Sequence, residues 1–183
     1  IFIGIEWLES IHFGHINSIG KKVLIIGVGN TAMVCCRSAK RLGATDVKVI
    51  SRKTRKYFKA SPWELEDAEE EKVEILENLS PVRFILENGK LTGMEFDKFT
   101  SREENGKFIQ DPAGRVTLPC DSVVLAIGQE NAFPWIERDM GLEFDKKWDM
   151  PVVDKKTFMS TKPGVFFGGD AAFGPANIIW AVE

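Results

Sequence analysis

Lys21-Lys-Val-Leu-Ile-Ile-Gly27-Val-Gly29-Asn-Thr-Ala32 is the stretch on which the fold turns. Val23 to Ile26 is an unbroken apolar run, the composition of a parallel strand covered on both faces. A glycine-rich turn follows, and Met33 to Leu42 carries helical spacing, with Gly43 placed as a helix stop. Asp46-Val-Lys-Val-Ile50 then reads as a second strand. Strand, helix and strand within about thirty residues make a βαβ unit.

The turn itself spells Gly27-x-Gly29-x-x-Ala32. Gly27 permits the tight exit from the strand. Gly29 has no Cβ, so a pyrophosphate can approach the backbone. Ala32 lets the helix lie close to the strand, and free N–H groups at the helix start face the phosphates. In this context the motif predicts dinucleotide binding, with a purely structural glycine turn as the rival reading. An NAD site needs an acidic side chain near the end of the second strand, about twenty residues after the glycines. Ile50-Ser-Arg52 stands there instead, followed by Lys53, Arg55, Lys56 and Lys59, with Lys48 just before. A guanidinium at Arg52 suits the 2′-phosphate of NADP(H), with Arg55 or Lys59 as second choice. The alternative is a basic loop that balances the acidic helix after it.

Outward from this core, Ser61-Pro-Trp-Glu64 has the form of a capping box opening a helix that runs to about Lys72. Val73 to Leu76 is a third strand. Val82–Leu86 and Leu91–Phe96 flank Asn88-Gly89, a hairpin signal. Residues 100–115 are mostly polar, with Gly106 and Gly114 as turn formers, and Val116–Leu118 forms one more strand. The whole of 82–118 reads as an antiparallel meander. Asp121 to Gly128 is a buried strand running into a turn. Residues 1–20 read as an entry segment with a short helix, Glu6 to Ile11, in which His12 and His15 lack ligand partners at useful spacing.

Near the other end, Val165 to Phe167 reads as a short strand running into Gly169-Asp170 and a glycine–proline turn. An acid at a strand end can hold a polyol hydroxyl, and a helix start placed next can donate N–H groups to a flavin carbonyl.

Composition narrows the classes. The chain has 183 residues, 44% apolar and 28% charged, with a net charge of −3. That suits a folded domain, or one domain with part of another, and gives no global field for nucleic acid. No run approaches the ~18 apolar residues of a membrane span. The three cysteines, at 35, 36 and 120, form no C-x-x-C, which leaves no metal or cluster site and favours the cytoplasm. Neighbouring Cys35 and Cys36 on a helix point about 100° apart and read as packing residues. Neither end reads as a natural terminus, so the expectation is a stretch of a longer chain.

Taken in order, Gly-x-Gly-Asn-Thr-Ala, the basic strand end, Ser61-Pro-Trp-Glu64, Leu125-Ala-Ile-Gly-Gln129 and Gly164-Val-Phe-Phe-Gly-Gly-Asp170 resemble the glutamate synthase small (β) subunit group, which includes the N-terminal half of dihydropyrimidine dehydrogenase. The resemblance covers the whole chain. It implies an α/β fold: a Rossmann-like, three-layer parallel sheet with the antiparallel meander, plus a partial FAD-domain segment. The domains implied are an entry segment from the FAD domain (1–20), an NADP(H)-binding domain (21–130) and a C-terminal FAD-domain segment (131–183).

The resemblance further implies that Gly27, Gly29, Asn30, Thr31 and Ala32 form the NADPH phosphate loop. Arg52 with Lys59 would take the 2′-phosphate, although relatives often have Arg at position 59, and Lys53 and Arg55 lie within the same basic loop. Gly128 would mark the exit from the nucleotide domain. Gly169 and Asp170 would form the second flavin motif, and Asn177 and Ile178 the helix start facing the flavin pyrimidine ring. The first flavin glycine motif and a cysteine-rich segment are expected upstream of residue 1, so this stretch alone is expected to hold FAD weakly or not at all.

The activity implied is passage of hydride from NADPH to FAD and of electrons onward to an iron–sulfur or amidotransferase-type partner subunit. The cofactors carry that chemistry, so no catalytic side chain is assigned. Two other readings stay open: a nucleotide-binding sensor without turnover, and a dihydropyrimidine dehydrogenase-like or ferredoxin-linked reductase. A disulfide reductase is disfavoured by the missing cysteine pair.

Overall fold

In the computed structural model, which describes residues 1–129, 132–176 and 178–182, the apolar run at 23–26 becomes β2 (Lys22–Ile26) at the centre of a parallel sheet. The other strands are β1 (Phe2–Ile3), β3 (Asp46–Ile50), β4 (Glu74–Leu76) and β8 (Ser122–Leu125), in the order β1-β8-β2-β3-β4. Every neighbouring pair is parallel, with Val23 opposite Val47 on one side and Ser122 on the other.

Side chains alternate across this sheet, as strand geometry requires. Val23, Ile25, Val47, Val49 and Val124 face a layer of three helices: α1 (Gly4–His12), α2 (Asn30–Arg41) and α3 (Pro62–Glu70). Leu24, Ile26, Ile50 and Val123 face the other way, onto an antiparallel sheet of β5 (Leu79–Glu87), β6 (Lys90–Glu104) and β7 (Lys107–Pro119). The layers are therefore helices, parallel sheet and antiparallel sheet. All three helices end in the paired carbonyl bonds of a left-handed cap. Gly14, Gly43 and Lys72 take the positive φ, and Ala44 N–H, for example, donates to Ala39 O at 3.1 Å.

Within the expected meander, β6 continues to Glu104, Asn105-Gly106 makes a tight turn with φ of 52° and 71°, and β7 returns. Two local expectations need correction. Gly114 forms no turn. It sits at φ 98° where Ala113 and Gly114 oppose the single residue Lys98, a bulge in the ladder. The capping box at Ser61 also fails to form. The Ser61 side chain makes no bond to its own helix; instead its N–H donates to Asn30 Oδ1 at 2.8 Å, and its hydroxyl accepts from Asn30 Nδ2 at 3.3 Å.

The chain divides into two units, Ile1–Gly128 and Gln129–Glu183. Residues 1–20, expected with the flavin domain, pack within the first. Phe2 and Ile3 pair with Val124 and Leu125, and Trp7 is buried in the helix-side core. The second unit has its own small core of Ile136, Leu142, Phe167 and Ala172. Its expected strand at 165–167 is reduced to a single bridge, Met159 to Phe166. Two short helices follow, α4 (Asp170–Phe173) and α5 (Ile178–Val182).

Candidate nucleotide site

Because all five strands are parallel, the turns after β2, β3, β4 and β8 gather at one edge of the sheet. β3 lies on one side of β2 and β8 on the other, which makes the space beyond β2 a topological switch point, where ligands of open α/β sheets bind.

Gly27 is held there by neighbours. Its φ is 125°, its N–H donates to Ile50 O at 3.0 Å, and a Cβ would fall 2.1 Å from Ala126 O. The constraint on Gly27 is thus the close pass of the β8 exit as much as the turn. Gly29 is different. Its φ of −97° suits any residue, and a Cβ there would meet nothing within 4 Å, so its bareness serves no internal contact. Ala32 is fully buried against the sheet.

Ala32 and Met33 N–H both donate to Gly29 O, at 2.9 and 3.2 Å. The N–H groups of Gly29, Asn30 and Thr31 have no acceptor among the described residues. Gly27 to Gly29 are half-buried and Asn30 is exposed, so these donors face open space. Unpaired amides at the start of a helix, with its positive dipole end, form a seat for an anion. The side chain of Asn30 is not part of that seat, being committed to Ser61. Asn30 instead ties the turn to the start of α3.

The basic loop 51–60 is brought to the same place. Lys59 and Ala60 N–H donate to Val28 O at 3.1 and 3.0 Å, which fixes Lys59 beside the glycine turn. The loop's cations are not equivalent. Arg55 pairs with Glu69 on α3, which holds its guanidinium pKa above the ordinary value, and its backbone N–H donates to Glu77 at 3.0 Å. Lys56 pairs with Glu103, and Lys48, on β3, bridges Asp46 and Glu74 at 2.7 Å each. Lys53 lies over the rings of Tyr57 and Phe108, at 5.4 and 5.8 Å. Arg52 and Lys59 are exposed and have no carboxylate partner among the described residues. Among the described residues, Arg52 and Lys59 are thus neither ion-paired nor stacked, whereas Arg55 is ion-paired with Glu69. The Arg55–Glu69 pair is what the alternative reading, a basic loop balancing the acidic helix after it, leads one to expect, although the sequence did not give the partner.

At the end of unit one, Gly128 has φ 123° and open space around it. In the second unit, Gly169 (φ 55°) precedes α4, and a Cβ there would sit 3.1 Å from Ala181 Cβ. Asp170 accepts Ala176 N–H on Oδ1 at 3.1 Å, closing the Gly174-Pro175 turn, while its Oδ2 accepts nothing among the described residues. A recess of about 380 Å³ is lined by Gly168, Gly169, Asp170, Ala176, Ile178 and Ala181. Ile178 is 83% exposed. Asn177, expected beside it, lies outside the described residues.

Cys35 and Cys36 are buried under α1 and the sheet, and burial pushes both thiols up to about 12. Cys120 is buried on the opposite face and pushed up to about 11. The described residues contain no metal-ligating cluster and no helix long and apolar enough to cross a membrane.

Comparison with known proteins agrees with this architecture. The chain is 30% identical over 201 residues to the β subunit of an NADPH-Fe(3+) oxidoreductase of Geobacter sulfurreducens, covering 96% of this chain and 30% of that protein. It is 32% identical to the small chain of the NADPH glutamate synthase of Azospirillum brasilense, covering 97% of this chain and 38% of that protein. The chain thus spans little more than a third of these relatives at most. The thioredoxin reductase of T. acidophilum superposes with a TM-score of 0.71 at 21% identity, over 94% of this chain and 51% of that one, a likeness of fold. The profile of the pyridine nucleotide-disulphide oxidoreductase family matches residues 4–183, and the chain belongs to that family.

Proposed function

We propose that residues 1–128 bind NADP(H) and that, in the complete protein, the bound nicotinamide passes hydride to FAD, with electrons leaving toward an iron–sulfur or amidotransferase-type partner subunit. One observation carries the nucleotide reading: the N–H groups of Gly29, Asn30 and Thr31, unpaired among the described residues, share the edge of the sheet with the loop carrying Arg52 and Lys59, which have no carboxylate partner among the described residues. The residues present fit the ligand. The amides suit a diphosphate, and the space above Gly29, which a side chain would fill, suits its approach. Arg52 and Lys59 suit a 2′-phosphate.

The nicotinamide and the flavin supply the hydride chemistry, and the chain's own groups bind and orient. Gly169, the Asp170 Oδ2, which accepts nothing among the described residues, and the recess around Ile178 fit one part of a flavin site, the polyol and ring edge. The names of the relatives, an NADPH-Fe(3+) oxidoreductase subunit and a glutamate synthase chain, support NADPH as donor and a multi-subunit setting. A disulfide-reducing role finds no support in the chain's own thiols, all three of which are buried and protonated. The test is titration with NADPH and NADH. NADPH is expected to bind at least tenfold tighter, with most of that preference lost in Arg52→Ala. Equal affinities in the unmodified protein would overturn the assignment.

A further inference from the structure

The ribbon formed by β6 and β7 extends well past the part that covers the core. Its inner half supplies Met94 and Phe96 to the apolar layer, and its outer half, beyond Phe99, is mostly polar and exposed apart from half-buried Ser101 and Phe108 to Gln110. Such an arm needs a reason to hold one position. Phe99 N–H donates to Asn78 O at 3.0 Å, and Ser101 hydrogen-bonds the Asn78 side chain, which pins the ribbon to the chain leaving β4. From there the strands run over the basic loop.

Gln110 Nε2 donates to Arg52 O at 2.7 Å. The ring of Phe108 packs on that of Tyr57 at 4.7 Å, and the Lys53 ammonium sits over both rings. Glu103 pairs with Lys56. The loop is also held at its near end, where Ser51 N–H donates to Leu76 O at 2.8 Å and Ser51 O accepts Leu79 N–H at 2.9 Å, and further along by Val28, Glu69 and Glu77, but among the described residues the bond to the Arg52 carbonyl comes from Gln110. The Arg52 peptide thus has the ribbon as its outer support. The Ser51 hydroxyl supports it from within, donating to Lys53 O at 2.7 Å and accepting Lys53 N–H at 3.1 Å.

We propose that the tip of the β6–β7 ribbon, through Gln110 and Phe108, is the positioning element that gives the nucleotide site its preference for a 2′-phosphate. A free guanidinium on a mobile loop must be ordered when it binds, and that cost falls only on the ligand that uses it. The ribbon orders the Arg52 backbone in advance. It also draws Lys53 onto aromatic faces and Lys56 onto a carboxylate, leaving Arg52 and Lys59 as the available charges. Gln110 and Phe108 are positioning residues, acting through Arg52. This inference rests on the NADP(H) reading above.

The test uses the purified protein and two readouts. Gln110→Ala and Phe108→Ala are expected to weaken NADPH binding roughly fivefold while NADH affinity stays within error. Phe108→Tyr, which keeps the ring stack, is expected to restore the preference. In the absence of nucleotide, trypsin is expected to cut after Arg52 and Lys53 several-fold faster in both alanine variants, with thermal midpoints unchanged. Unaltered selectivity in both alanine variants, alongside loss in Arg52→Ala, would overturn the ribbon's role and leave the cofactor assignment standing. Equal weakening of both nucleotides would also overturn it. If the unmodified protein shows no preference but the tryptic cuts accelerate, the anchoring is real and the cofactor assignment is what fails, taking the selectivity role with it.

Discussion

Two glycines in one turn answer to different forces. Gly27 is required by the fold, since a methyl group would strike Ala126 O and φ is 125°. Gly29 is required by nothing inside the chain. Gly27→Ala is therefore expected to destabilise by about 2–4 kcal/mol in thermal or urea unfolding. Gly29→Ala should leave the midpoint unchanged and weaken NADPH roughly tenfold by closing the approach. A Gly29→Ala protein that binds normally would remove the turn from the site. The cysteines make a second prediction. With thiol pKa values pushed up to about 12, 12 and 11 by burial, none should react with a disulfide reagent at pH 8 in native protein, and all three should react once denatured. The glycine spacing was legible in the sequence as a motif, although backbone geometry dictates only Gly27. Which cations remain available was not, because Arg55 and Lys56 find their acids only in three dimensions.

At the level of elements, α2 and α3 are joined by a charge cluster. Arg37 meets Glu71 at 2.7 Å, Asp67 at 2.8 Å and Glu64 at 3.5 Å, and Arg41 also reaches Glu71 at 2.8 Å. The hydrogen bond from Arg37 holds the Glu71 carboxyl below the usual glutamate range. A depressed carboxylate pKa adds stability above its unfolded value, near 4.3, and that contribution is lost as pH falls through the folded value. Glu71→Gln should cost about 1 kcal/mol at pH 7, with the difference from the parent shrinking below about pH 4 in denaturant titrations. A constant difference across that range would mean that packing, not charge, joins the helices. Glu64 also explains why the Ser61 box did not form: it faces Arg37, and Asn30 takes the serine. Hairpin signals show the same limit. Asn88-Gly89 was readable because alternating apolar residues flank it, whereas Asn105-Gly106 makes an equivalent turn between polar strands that bury too little to announce themselves.

Across the whole molecule, both large cores lie inside Ile1–Gly128, one on each face of the parallel sheet. Residues 1–128 expressed alone are expected to unfold cooperatively and to keep the NADPH affinity of the intact chain, as circular dichroism and calorimetry would show. The C-terminal unit, with a core of Ile136, Leu142, Phe167 and Ala172, is too small to promise the same. Loss of nucleotide binding in the shorter protein would place a necessary contact beyond Gly128.

The sequence by itself determined the βαβ order and the strand periodicity, because each follows from local backbone rules acting over a few residues, and it marked the glycine turn by its spacing. The tertiary structure alone decided three things: that β1 joins the sheet beside β8, that a mostly polar ribbon reaches back to Arg52, and which cations of the basic loop find partners among the described residues. These depend on partners distant in the chain, and pairing energies between such partners leave no period or spacing in the sequence.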